Sequence, residues 1–190
     1  NVGVDYSVSF PVGWKWFSVN TTLDNMSLEF ILSSVNTPDD YIKSQESTST
    51  YYSGYGWFGP LKKIEPGLLY KIKVQDSTTT SYTGRATDVN TLQIPVVSGW
   101  NWIGYLPQVS ISLNDAFSSL SLAHLDYIKS QASTSTYYSG YGWFGELKNL
   151  TPAEGYMLKV ANEGNLKYPE SGKSDYAIQN TAKGDTLDFN

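Results

Sequence analysis

The 190-residue chain contains no cysteine and a single histidine, His124. The first absence excludes disulfides, thiolate catalysis and cysteine-ligated zinc, and leaves the compartment open. Charge is sparse: 16% of residues are charged, the formal net charge is −5, and no long run of either sign occurs. Nucleic-acid binders draw their affinity from basic patches, so nucleic acid is not an expected partner. No stretch reaches the roughly 18 apolar residues that a membrane-spanning helix needs, so no span is expected. There is no G-x-S-x-G, no H-E-x-x-H, no phosphate-binding glycine loop ahead of a helix and no D-x-D-x-D-G calcium loop. No cofactor is implied. No signal peptide is visible, and Asn1 in place of Met suggests a trimmed or excised chain.

Aromatics are abundant at 15%, with fifteen tyrosines and six tryptophans, and 40% hydrophobic content suffices for a core. The aromatics are organised by an internal repeat, the feature that decides an architecture when present. DYIKSQESTSTYYSGYGWFGPL, residues 40–61, returns at residues 126–147 with only Glu46 changed to Ala132 and Pro60 to Glu146. GWKWFS at 13–18 matches GWNWIG at 99–104, and LKKIEPGLLYKIKV from Leu61 matches LKNLTPAEGYMLKV from Leu147. SLEFILSSV from Ser27 matches SLNDAFSSL from Ser112 one residue out of step, as flanking loops allow. Copy one runs over about residues 8–86 and copy two over about 94–171. The chain is therefore divided into a first repeat with its N-terminal strand (1–91), a second repeat (92–172) and a tail (173–190). Segments 176–179 and 186–189 of the tail are candidate strands to complete a sheet. Leu69 against Gly155 shows that the copies are not fully equivalent.

Within each copy the reading is mostly strand. Trp14 and Trp16, like Trp100 and Trp102, alternate with period two and share a face. Residues 41–44, 49–52 and 70–74 are short, β-prone and bounded by turn formers, and SGYGWFG reads as a glycine-assisted tight turn. A short helix fits residues 27–35, with Ser27 as N-cap and Leu28, Ile31, Leu32 and Val35 on one stripe, matched by Leu113, Ala116, Phe117 and Leu120. The fold class is α+β, mostly β: two strand-rich repeats related by a pseudo-twofold axis, each with one short helix.

The near-identical block carries Tyr51, Tyr52, Tyr55, Trp57 and Phe58, and again Tyr137, Tyr138, Tyr141, Trp143 and Phe144. Neighbours on a strand face opposite ways, so these rings cannot all enter one core. Exposed Tyr and Trp beside Lys43, Gln45, Lys129 and Gln131 have the composition of a recognition surface. Sugar rings stack an apolar C–H face on such aromatics and need polar partners for their hydroxyls. The expected site is therefore Trp57 and Trp143 for stacking, Tyr52, Tyr55, Tyr138 and Tyr141 beside them, and Lys43, Gln45, Lys129 and Gln131 for polar contacts. The competing reading makes GYGWFG a turn whose Trp plugs the core, with block identity reflecting recent duplication. For Trp14, Trp16, Trp100 and Trp102, core or inter-repeat packing is favoured.

Catalysis is not expected. His124 lies in a loop with no partner motif, and Pro38 takes its place in copy one. Asp40 and Asp126 supply one acid per copy rather than the pair a glycosidase uses. Asp39 and Asp40 with nearby carbonyls would hold at most a weak calcium ion, so no metal site is assigned. Asn20, Asn25 and Asn149 lie in N-x-S/T sequons.

GWNWIGYLP, DYIKSQ, YGWFG-L and L-P-EGYMLK together resemble a tandem repeat of secreted and surface proteins of marine and environmental bacteria, where it sits beside adhesive or polysaccharide-degrading modules. The blocks also resemble repeats of algal proteins, including the diatom pyrenoid-shell proteins, which tile into sheets. The likeness covers nearly all of both copies and carries no catalytic residue. The likeness marks the fold and implies an extracellular or cell-surface setting; the exposed rings add the expectation of a non-catalytic carbohydrate-binding or adhesive module with a polysaccharide as partner. The alternative is a self-assembling sheet, shell or filament subunit, in an algal plastid if the shell likeness holds. It would use the same patches as subunit contacts and pair Ser/Thr-rich strands such as residues 77–81 edge to edge.

Overall fold

The computed structural model describes residues 3–170; the candidate strands at 176–179 and 186–189 lie outside the described residues. The described residues are strand-rich with two one-turn helices. Copy one contributes β1 (Val4–Phe10), β2 (Gly13–Phe17), β3 (Thr21–Thr22), α1 (Leu28–Ile31), β4 (Tyr41–Lys43), β5 (Thr48–Tyr52), β6 (Gly56–Phe58), β7 (Tyr70–Val74) and β8 (Thr78–Ala86). Copy two contributes β9 (Ile94–Val96), β10 (Gly99–Gly104), β11 (Ile111–Ser112), α2 (Leu113–Ala116), β12 (Tyr127–Lys129), β13 (Thr134–Tyr138), β14 (Gly142–Gly145), β15 (Asn149–Leu150), β16 (Gly155–Val160) and β17 (Gly164–Leu166).

The heart of each copy is a five-stranded antiparallel sheet, ordered β2-β7-β4-β5-β6 in the first and β10-β16-β12-β13-β14 in the second. The expected strands at 41–44, 49–52 and 70–74 are β4, β5 and β7. The glycine stretch is only partly a turn: residues 53–55 make it, and Gly56–Phe58 return as β6 against β5. The helix expected over residues 27–35 closes after one turn, because Ser33 and Ser34 compete with helical hydrogen bonding and the Ser34 hydroxyl instead donates to Thr79 O at 3.0 Å. Its stripe is nonetheless buried at Leu28, Ile31, Leu32 and Val35. Ser27 makes no side-chain cap bond, whereas Ser112 accepts one from the Asp115 amide.

Alternation gives each sheet one inner and one outer face. Inner residues, among them Ile42, Trp57, Tyr70 and Ile72, pack with α1 into one core; Ile128, Trp143, Tyr156 and Leu158 pack with α2 into the other. On the outer face, register aligns Trp14, Lys73, Tyr41, Thr50 and Phe58 across five strands. The same row in copy two reads Trp100, Lys159, Tyr127, Thr136 and Phe144. The next row is Trp16, Lys71, Lys43 and Thr48, matched by Trp102, Met157, Lys129 and Thr134.

Copy one has an extra sheet, β1-β8-β3, which copy two reduces to the short pair β9 and β17. Residues 77–81, expected to be free for edge pairing, lead into β8, whose Ser/Thr-rich strand is paired along β1 from Phe10↔Thr78 to Val4↔Gly84. One edge of β8 is thus taken within the chain; β3 covers the other edge only at Arg85 and Ala86, and Thr79 O there accepts from the Ser34 hydroxyl.

The two copies dock reciprocally. Gln45, in the β4–β5 turn, donates through Nε2 to Trp100 O and accepts from the Trp102 amide, both at 2.9 Å. Gln131 mirrors it on Trp14 O at 2.8 Å and the Trp16 amide at 2.9 Å. Each glutamine thus reaches the open edge of the other copy's first sheet strand and satisfies one donor and one acceptor there. Where residues meet near their own counterparts, identity is lost: Leu69 packs on Gly155, and Lys71 Nζ lies 3.2 Å from Met157 Sδ.

Candidate functional site

The block that is nearly letter-identical in both copies builds three things: an anchored strand pair, an inter-copy clamp and an exposed aromatic tip. Asp40 anchors. It is buried, and its carboxylate accepts from the Thr37 amide at 2.9 Å and the Gln75 amide at 2.7 Å. Asp126 does the same for Ala123 at 2.8 Å and Ala161 at 2.9 Å. Both acids are spent on backbone amides, as buried carboxylates must be. Among the described residues no group of three His, Asp or Glu side chains is placed to hold a metal ion.

Trp57 and Trp143 correct the expected site. Each is only 8% exposed and belongs to the core of its copy. Trp57 points inward because it occupies the inner phase of β6, between outward Gly56 and Phe58. Trp57 meets Tyr51 edge-on at 5.7 Å, and Trp143 meets Tyr137 at 5.5 Å. The Trp143 Nε1 is buried and has no partner among the described residues, so it presents nothing to a ligand. The plugging turn, the competing sequence reading, is what these two residues form. Gly59 and Gly145 close the block at φ of +149° and +153°, where a Cβ would strike the Thr48 and Thr134 carbonyls.

Gln45 and Gln131 are the second correction: both amide ends of each are engaged by the other copy, so their first role is to join the repeats, although each remains exposed with one N–H unused.

The remaining expected aromatics stand outside. Tyr55, between Gly54 and Gly56 at the apex of the turn, is 88% exposed, and Tyr141 is 81% exposed. Beside them Tyr52 and Phe58 meet edge-on at 6.3 Å, and Tyr138 and Phe144 at 5.8 Å. Phe58 and Phe144, which complete these clusters, are exposed for the same reason that the tryptophans are buried: strand phase. Sequence alone does not fix that phase. The free edge of β6 is covered, since the Trp57 amide donates to Glu29 Oε1 of α1 at 2.7 Å; Asn114 takes that place at 3.3 Å for Trp143.

Copy two's tip differs in one respect. His124 meets Tyr138 edge-on at 5.5 Å, and its Nδ1 accepts from the Ser139 amide at 3.3 Å. A shallow hollow of about 460 Å³ lies among His124, Tyr138, Ser139, Tyr141 and Phe144. A neighbouring hollow of about 520 Å³ shares His124 and runs along Trp100, Tyr127 and Lys159. It links the tip to the outer-face row.

Lys43 and Lys129 are half-buried at the other end of that face, where the two sheets meet. Lys43 Nζ lies 5.3 Å from the Trp14 ring centre and 5.8 Å from that of Trp102, and Lys129 Nζ lies 5.8 Å from Trp16. Between them Lys71, a residue the sequence reading passed over, sits 4.0 Å from both the Trp16 and Trp102 ring centres. Burial, with Lys43 and Lys129 adding repulsion, pulls its ammonium down to about 8. Trp16 and Trp102 thus pack between the repeats, as favoured, but Trp14 and Trp100, favoured for the same packing, are exposed and lie over Tyr41 and Tyr127 at 6.0 and 6.1 Å, because they stand one outer-face row further from the junction.

No protein-family model matches the chain, and comparisons with curated proteins and with solved structures give no match.

Proposed function

We propose that this protein is a non-catalytic carbohydrate-binding or adhesive surface module that holds a glycan through its two aromatic tips. The observation that supports it most is the duplication of an exposed ring set, Tyr52, Tyr55 and Phe58 in one copy and Tyr138, Tyr141 and Phe144 in the other. Tyr55 and Tyr141 stack on the apolar face of a sugar ring and offer a hydroxyl to its polar edge. Two such tips on one chain bind a polymer bivalently, which raises weak single-site affinity by about 10²–10⁴-fold when one polymer spans both.

Affinity electrophoresis through gels containing soluble neutral polysaccharides tests this reading. Tyr55→Ala and Tyr141→Ala each weaken retardation on the ligand, and the double variant migrates as it does in a plain gel. Unchanged retardation of the double variant would overturn the assignment.

A second reading, self-assembly through the same patches, draws on Phe58 and Phe144, exposed rings without a hydroxyl for sugar. It predicts growth with protein concentration in the absence of any glycan.

A further inference from the structure

The outer faces of the two sheets meet over a cluster that stacking does not use. Lys43, Lys71 and Lys129 converge there on the rings of Trp14, Trp16 and Trp102. Among the described residues none of the three pairs with a carboxylate; the ion pairs there are Lys15 with Glu154, Lys63 with Glu65 and Arg85 with Asp24. This is unexpected in a chain with 18 acidic and 13 basic side chains. Indole faces stabilise an ammonium, but they do not cancel the repulsion of three gathered like charges. A cluster that costs stability and has no counter-ion has the character of a functional site. The asymmetry points the same way. Copy two has Met157 where copy one has Lys71, so the junction carries one central lysine flanked by a symmetric pair rather than four crowded charges.

We infer that this junction binds a sugar-borne anion, the carboxylate or sulfate ester of an acidic polysaccharide, with Lys43, Lys71 and Lys129 as the cationic contacts and Trp16 and Trp102 as its walls. The polymer class rests on the glycan reading above; the anion site rests on the lysines themselves. The rows from Trp14 to Phe58 and from Trp100 to Phe144 then lead outward from the charged centre to the aromatic tips. Five strands at about 4.8 Å spacing make each row roughly 19 Å long. An acidic chain laid across both faces puts its anions at the centre and its apolar ring faces at the ends. The depressed ammonium of Lys71 gains most from this, since an arriving anion restores the charge that its surroundings disfavour.

The test is titration of the full chain with a polyuronate, a sulfated galactan, a neutral β-glucan and duplex DNA, at several salt concentrations. Lys71→Met is the informative variant, because Met157 already occupies the equivalent position and shows that the side chain fits. The inference expects wild-type binding to at least one acidic polysaccharide. It expects Lys71→Met to weaken that binding by about tenfold near 0.1 M salt and to lower the slope of log affinity against log salt by about one. Affinity for the neutral glucan stays unchanged. Absence of binding to both acidic polymers, or a Lys71→Met variant that binds them as well as wild type, would overturn it. Equal affinity for DNA would overturn the sugar assignment and leave a general polyanion site. Tyr55→Ala with Tyr141→Ala separates the two proposals: if that variant keeps full affinity for every glycan while Lys71→Met loses the acidic ones, the tips fail and the junction stands.

Discussion

Leu69 and Gly155 hold the same place in the two copies and meet at the junction, where a Cβ on Gly155 would lie 2.5 Å from Leu69 Cδ1. A symmetric dimer would have to use one residue at both places. A tandem chain can use two, and here one copy supplies the volume and the other the space. Gly155→Leu, which makes the copies alike, overpacks the junction. It should lower stability by about 1–3 kcal/mol, read as a fall in the urea midpoint with unchanged slope.

Gln45 and Gln131 each make two hydrogen bonds to the backbone of the other copy. Gln45→Ala and Gln131→Ala each leave an exposed edge amide and carbonyl to water instead of these partners, at a cost of about 0.5–1.5 kcal/mol. Their combined loss should separate the unfolding of the copies. Calorimetry of the double variant then shows two transitions where the parent shows one. A single transition at the parent temperature would contradict the clamp.

Trp57 and Tyr55, two residues apart, should respond oppositely to substitution. Trp57→Ala and Trp143→Ala empty buried volume and should cost about 3–5 kcal/mol each. Tyr55→Ala and Tyr141→Ala should stay within about 0.5 kcal/mol of the parent. Chemical denaturation of the four variants checks both statements.

Lys71 gives the alkaline stability profile a definite sign. Its folded value of about 8 lies below the ordinary 10.5, so between those values the unfolded chain binds more protons. Stability therefore rises with pH from about 8, and Lys71→Met removes the rise. Tyr70 and Tyr156, pushed by burial to about 12, act in the opposite sense: above about 10 the unfolded phenols ionise while the folded ones do not. Burial raises Tyr6, Tyr82, Tyr105 and Tyr168 as well, so the parent should pass through a maximum between about pH 8 and 10, followed by urea midpoints, while Lys71→Met shows only the decline.

Much of this was legible in the sequence, since register and repeat offset determine which residues become equivalent. The strands 41–44, 49–52 and 70–74 and the Leu28, Ile31, Leu32, Val35 stripe followed from periodicity. Trp57 did not, because a short strand entered through a two-glycine turn can take either phase, and the buried one is set by α1 and its Glu29. Gln45 misled for a related reason: a polar side chain at a turn looks the same whether it faces solvent or the edge of another repeat. Lys71 was hidden because its neighbours come from both copies, and nothing local in YKIKV marks one lysine as central.

The most direct measurement of the central claim is sedimentation velocity over a hundredfold protein concentration range, with and without a panel of neutral and acidic polysaccharides. The account predicts a species of constant size at every concentration without sugar, shifting only when the recognised glycan is added, and failing to shift with a neutral glycan when Tyr55 and Tyr141 are both alanine. Growth into large species without any glycan, suppressed by those same two substitutions, would contradict it and make the aromatic tips subunit contacts.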